Sequence, residues 1–464
     1  MKIPPGFCIV LICVLTGLGA LNIFAGSSGL ASNDSLSVSE DSGLVKWAQG
    51  DYLTGQWFGL RPKLEDTGVE AILNYTTNIA GNPVGGKARG FTYTDNINFG
   101  VNLDFEKLIG WKGATFTISA LNRDGTSLSE KYIGNQFTVQ QIYGGQTAIF
   151  YGLYLEQKLF DDFLSIKAGR FAAGDDFGSS PIYWLYMNNG IDGNPQALPV
   201  NSAYSSFPWA TWASRVKLKP TKETSVLFGI YQATNRLGDR DYQGMDWSIR
   251  SNDGVVLLSQ FGWSPEWFKK EIETTPEIAP DGKSERPSKS LVAPPTEMRG
   301  LPGNYWFGAY YSPFSYQEFG NTGTQRYAYG FYWHVDQMIY QEAPGSDQGI
   351  TVWGSFVYSP QQSIAKLPFQ SNGGIFYKGL IPTRDNDYTI FGAAYGKFSR
   401  DYAKTVAVTG AGSPDYELVF EAAYRFQITR FAYVQPDIQW VINPGGTGNI
   451  DNALVLGAQI GITF

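Results

Sequence analysis

The chain has 464 residues, a net charge of −7 and a single histidine, with 54 Gly, 28 Tyr, 30 Phe and 13 Trp. That length accommodates either two or three soluble domains or one large barrel. The acidic balance argues against binding nucleic acid through a broad basic surface, and a lone His334 leaves no second member for a histidine-dependent triad or a multi-histidine metal site.

In chain order, Phe7–Leu21 behind Lys2 is an apolar run with the length of a signal-peptide core, followed by cleavage after Ala25 or Ala31. No later run is long enough for a helical span. Both cysteines, Cys8 and Cys13, fall inside this run, so the exported chain has no disulfide, thiol chemistry or cysteine metal site; no cofactor is expected. Residues 32–68 read as a flexible polar leader ending in two helical turns, Leu60–Asp66, stopped by Gly68.

From Val69 the period becomes two. In Asn96–Glu106, Ile97, Phe99, Val101, Leu103 and Phe105 alternate with Asn, Gly, Asp and Glu, placing apolar side chains on one face and polar ones on the other. The same alternation carries Arg123 behind Phe116, Ile118 and Ala120, and Arg215 and Lys217 around Val216. It also sets Glu421 and Arg425 between Phe420, Ala422, Tyr424 and Phe426, and Gln435, Asp437 and Gln439 between Val434, Ile438 and Trp440. About 16 strands of roughly 10 residues fit into residues 69–464, an even number as bacterial barrels require.

Connections alternate between short and long. Phe160–Phe163, Lys219–Glu223, Gly379–Asp387 and Thr429–Arg430 are short; Leu128–Gly145, Gly174–Pro208, Leu237–Asp253, Ser312–Gln325 and Ala403–Asp415 are long. Ser264–Gly303 breaks the rule: it is Pro-rich, charged and long where parity calls for a periplasmic turn, and reads as a solvated periplasmic insertion. The last stretch has Leu454, Leu456, Ala458, Ile460, Ile462 and Phe464 on one face. A strand ending on an aromatic, with no strong amphipathic helix elsewhere to cover so many apolar faces, is expected to close a transmembrane antiparallel barrel in lipid.

Function then belongs to the inward face, because lumen residues tune selectivity. Parity assigns it Glu70, Asn74, Asn98, Asn102, Asp104, Arg123, Glu156, Lys158, Arg215, Lys217, Glu421, Arg425, Gln435, Asp437, Gln439 and Gln459. Both charge signs suit a neutral polyol better than a ring of one sign would; the alternative for most of them is a solvated or salt-bridged wall. Arg123 and Arg215, on strands next to long loops, are the candidate constriction residues. Gly174–Pro208 is the candidate infolded loop. Its Tyr183, Trp184, Tyr186, Asn188, Asn189, Asn194, Asn201, Tyr204, Phe207 and Trp209 either recognise sugar or pack the loop onto the wall. His334, beside Asp336 on the polar face, reads as structural. Asp161–Asp162, Asp175–Asp176 and Glu417 with Glu421 are the carboxylate pairs a glycosidase could use, and no catalytic set is assigned among them.

Several segments resemble the carbohydrate-selective outer-membrane porins. They are Tyr433–Gly446 with Ala453–Gly457, Tyr377–Pro382 with Ala394–Ser399, Asp347–Thr351, and the opening Trp57–Leu64 with Gly68. The resemblance implies a 16-stranded outer-membrane barrel passing mono- and small oligosaccharides by passive diffusion. The Pro-rich insertion departs from it, and no surface-layer anchoring domain precedes the barrel. Sugars and outer-membrane lipid are the expected partners; monomer and trimer both remain open. The reading of a different class is a secreted, soluble β-rich carbohydrate-binding protein or glycosidase.

Overall fold

The computed structural model describes residues 43–143, 145–273, 296–321 and 323–464, and the barrel unit runs Trp47–Phe464. The expected signal peptide and the middle of the Pro-rich insertion lie outside these residues.

One sheet holds 17 strands. Eight come before the insertion: β1 Val69–Gly86, β2 Gly90–Asp104, β3 Ala114–Gly125, β4 Thr147–Leu159, β5 Leu164–Phe171, β6 Thr211–Leu218, β7 Thr224–Ala233 and β8 Gly254–Trp263. Then follow β9 Glu266–Glu273 and β10 Thr296–Ser312, and, apart from the sheet, the two-residue strands β11 Tyr316–Gln317 and β12 Thr324–Gln325. The remainder are β13 Ala328–Gln341, β14 Gly349–Tyr358, β15 Phe369–Lys378, β16 Tyr388–Lys397, β17 Tyr416–Thr429, β18 Ala432–Ile442 and β19 Asp451–Thr463. Each barrel strand pairs antiparallel with its neighbours, and β1 pairs with β19 from Asn74↔Thr463 to Gly86↔Asp451. β9 pairs only with β10 among the described residues, which leaves a closed 16-stranded barrel. Closure satisfies every ladder without an edge, as hydrocarbon demands.

The alternation works as lipid outside and lumen inside. Ile438, Trp440, Leu456 and Phe391 are exposed outward, whereas Gln435, Gln439 and Glu421 are buried inside. A soluble sandwich would need a second layer over those apolar side chains; a barrel uses lipid.

Three local features refine the sequence reading. Strand β2 stops at Asp104, two residues early, because its carboxylate accepts from the N–H groups of Glu106 and Lys107 and caps a short helix, Phe105–Ile109. The β1–β2 connection is a tight turn on the rim of the long loops, with Gly85 and Gly86 both at positive φ. The insertion begins and ends as a ribbon rather than as loop, paired from Thr296↔Glu273 to Pro302↔Glu266 with one register shift between Arg299 and Leu301. The helix Leu60–Thr67 forms as expected and ends on Gly68 at φ 96°. Within it, Arg61 lies over the Tyr52 and Trp57 rings at 3.6 and 4.2 Å and donates to the Phe464 carbonyl at 2.9 Å, fastening the end of the leader to the closing strand.

Candidate functional site

Two long connections fold into the barrel: residues 126–146 between β3 and β4, and 172–210 between β5 and β6. Phe137, Val139, Phe177, Tyr183, Tyr186, Met187, Ile191, Leu198 and Tyr204 on these loops join Trp306, Tyr332 and Trp353 of the wall in one buried cluster. The loops therefore fill part of the lumen with packed core. Glycines on the wall make the seat: a Cβ on Gly392 would stand 2.4 Å from the Tyr186 ring and one on Gly374 would stand 2.6 Å from its hydroxyl.

A loop inside a barrel must still satisfy its backbone, and the wall strands do it. The Met187 and Asn188 N–H groups donate to the two oxygens of Glu421 at 2.6 and 3.1 Å. Arg425 donates to the Trp184 carbonyl at 2.7 Å and Gln435 to that of Leu185 at 2.9 Å. Gln439 accepts from the Asn188 side chain at 2.9 Å. Glu417, one of the pair considered for glycosidase chemistry, accepts from the N–H groups of Gln136, Phe137 and Gly445, each at 2.7 Å. Asp437 accepts from Gln439 at 2.9 Å, behind the loop.

Between the loops and the wall lies a cavity of about 700 Å³. Asn74 of β1, Asn96 and Asn98 of β2, Arg425 of β17, Tyr433 of β18 and Gln459 of β19 line its wall side; Gln141, Trp184, Asp192 and Phe207 line its loop side. Arg425 is held over the Tyr433 ring at 4.2 Å and bonded through Nε to Gln435 at 2.6 Å. The Oδ1 of Asp192 and the Oδ1 of Asn98 have no hydrogen-bond partner within the protein.

Set against this cavity, the residues expected from sequence divide. Trp184 is exposed in it, the one aromatic of Tyr183, Trp184 and Tyr186 that faces solvent. Tyr183 and Tyr186 instead pack the loop: Tyr183 bonds His334 Nδ1 at 2.8 Å, His334 Nε2 meets Asp336 at 2.8 Å, and Tyr186 donates to the Phe391 carbonyl at 3.0 Å. Asn188, Asn194 and Asn201 are spent on the loop's own fastening, and Asn189 is half-buried with its N–H on the Thr138 carbonyl. Arg123 stands just behind the cavity, its Nε on Asn96 at 3.2 Å and its guanidinium 5.1 Å from the Phe207 ring, with Nη2 unpartnered.

Arg215 lies elsewhere. It sits in the β4–β6 wall, paired with Glu156 at 2.9 Å and Asp176 at 3.1 Å and bonded to Ser165 at 2.7 Å, while Lys167 takes the other oxygen of Asp176 at 3.1 Å. The loop covers this network, so neither Arg215 nor Glu156 reaches the cavity, and Lys217 is half-buried on the same wall. Attention to the loop's aromatics and amides misses Asp192; a single carboxylate at the middle of an inward loop is the signal that marks it.

A family model described as carbohydrate-selective porin, OprB family, matches residues 88–464. The chain belongs to that family. It is 27% identical to Porin B of Pseudomonas aeruginosa over 97% of this chain and 96% of that protein. It superposes on the high-pH structure of Pseudomonas putida OprB with a TM-score of 0.77 at 26% identity, covering 90% of this chain and 99% of that one. This carbohydrate-selective porin is thus an outer-membrane channel for sugars.

Proposed function

We propose that neutral mono- and small oligosaccharides diffuse passively through the cavity between residues 184–207 and the β17–β2 wall. Arg425, Asp192 and Trp184 would be the contacts that select them. The carrying observation is that an arginine and an aspartate face one cavity together with Asn96, Asn98, Gln141 and Gln459, beside an exposed tryptophan. A sugar hydroxyl both donates and accepts, and a pyranose offers an apolar C–H face; this set answers both. The carboxylate pairs support a channel rather than a hydrolase, since each has structural work. Asp162 pairs with Lys219, Asp175 accepts from Tyr151, Asp176 joins the Arg215 network, and Glu417 and Glu421 hold backbone.

Liposomes carrying the porin are expected to swell faster in glucose-sized neutral sugars than in zwitterions of equal size. Swelling that follows solute size alone would reduce the protein to a general diffusion pore.

A further inference from the structure

We propose that Glu421 sets the position of the constriction loop and thereby the selectivity of the pore; this rests on the reading of Asp192 and Trp184 as its selecting contacts. Glu421 and Glu417 lie four residues apart on β17, so both point into the lumen, roughly 13 Å apart along the strand. Both are buried, at 1% and 0% exposure. Each grips a different loop: Glu421 takes Met187 and Asn188 of the 172–210 loop, and Glu417 takes Gln136 and Phe137 of the 126–146 loop and Gly445 of the β18–β19 loop.

The Glu421 grip is placed where it matters to a solute. Trp184 lies three residues before Met187, and Asp192 lies four residues after Asn188, where its N–H closes a local turn on the Asn188 carbonyl at 2.8 Å. Both cavity-facing groups of this segment therefore ride on the two amides that Glu421 holds. A glutamate suits a pair of amides because its carboxyl brings one acceptor oxygen to each N–H group. A glutamine at the same position offers one acceptor and turns an NH2 toward the second amide. Glu421 is a positioning residue, acting on the solute only through the loop.

The test uses full-length protein in planar bilayers and liposomes, with Glu421→Gln, Glu421→Asp and Glu417→Gln beside wild type, and heat-modifiable migration as the check on folding. Glu421→Gln is expected to lose the preference for sugar over size-matched zwitterion and to conduct ions better than wild type. Glu417→Gln is expected to keep the preference while losing heat stability, a split that general damage to the barrel would not produce. Glu421→Asp keeps both acceptors, so it is expected to retain the preference and to fall between wild type and Gln in conductance; it also serves if the Gln variant does not fold. Wild-type preference persisting unchanged in folded Glu421→Gln would overturn the proposal. If wild type itself shows no preference, the sugar reading fails, and conductance alone still reports whether Glu421 places the loop.

Discussion

Arg425 of β17 donates to the backbone carbonyl of Trp184 at 2.7 Å, so the arginine that lines the cavity is fastened to the loop that carries the cavity's exposed tryptophan. Its Nε is occupied by Gln435 and its plane is held by Tyr433, which leaves a preorganised donor edge for a solute. Arg425→Ala is expected to raise single-channel conductance and to weaken sugar block of the ion current by about tenfold or more, since a hydrogen bond to a charged group contributes about 1.5–3 kcal/mol. Unchanged block in a folded variant would remove Arg425 from the binding contacts.

Arg215 should behave oppositely. It is enclosed by Glu156, Asp176 and Ser165 away from the cavity, so Arg215→Ala takes the salt-bridge partner from Glu156 and leaves Asp176 with Lys167 alone. The expected cost is about 3 kcal/mol of stability, the lower end of what removing one partner of a buried pair produces. Urea unfolding in lipid vesicles reads this directly, and sugar block should stay at the wild-type level. Altered block with normal stability would return Arg215 to the constriction.

The contrast between these two arginines shows what was legible in the sequence. Period-two alternation sorts inward from outward side chains, because a lipid-facing strand must be apolar at every second position; hence the barrel, its closing strand and the inward placement of Arg123, Arg215 and Arg425 could all be read. Which inward residue meets water depends on where two loops lie, and that is settled by tertiary bonds hundreds of residues apart, such as Glu417 to Phe137 and Glu421 to Met187. Proximity to a long loop favoured Arg215, and it is that loop which buries it. The aromatics of Tyr183–Tyr186 suit both recognition and packing by residue type, and neighbours divide: Trp184 is exposed while Tyr183 and Tyr186 pack the loop.

On the loop rim, Arg236 braces the β7–β8 connection, bonding Asp246 at 2.5 Å and Asp253 at 2.9 Å. The Ser248 hydroxyl and then Arg236 hold the Asp246 carboxyl down at about 2. Asp253 also lies below the usual carboxylate range, the bonds from Arg236, Arg250 N–H and Gln232 outweighing the effect of burial. A carboxyl held below its unfolded value of roughly 4 contributes stability above that pH and loses it as pH falls through the folded value. The brace is therefore expected to persist at pH 4 and to open as pH approaches about 2. Pepsin cuts at both values: cleavage within residues 234–253 should rise between them in wild type and be high throughout in Arg236→Ala. Equal cleavage of the wild-type loop at the two pH values would rule the brace out.

The ribbon of β9 and the first half of β10 leaves the barrel at the rim where β8 ends, and alternation of sixteen strands puts that rim with Thr463 and the start of β1. The long loops open at the opposite rim. Since bacterial barrels keep short turns in the periplasm and long loops outside, the ribbon is expected to face the periplasm despite its length. Lys270 on β9 is exposed, and Cys8 and Cys13 both lie in the apolar N-terminal run, so Lys270→Cys supplies a single reactive thiol once that run is removed. A maleimide too large for the pore should leave this thiol unlabelled on intact cells and label it after the outer membrane is permeabilised. Labelling of intact cells would put the ribbon outside, and because the ribbon and both barrel termini share one rim, it would turn the whole barrel over with it.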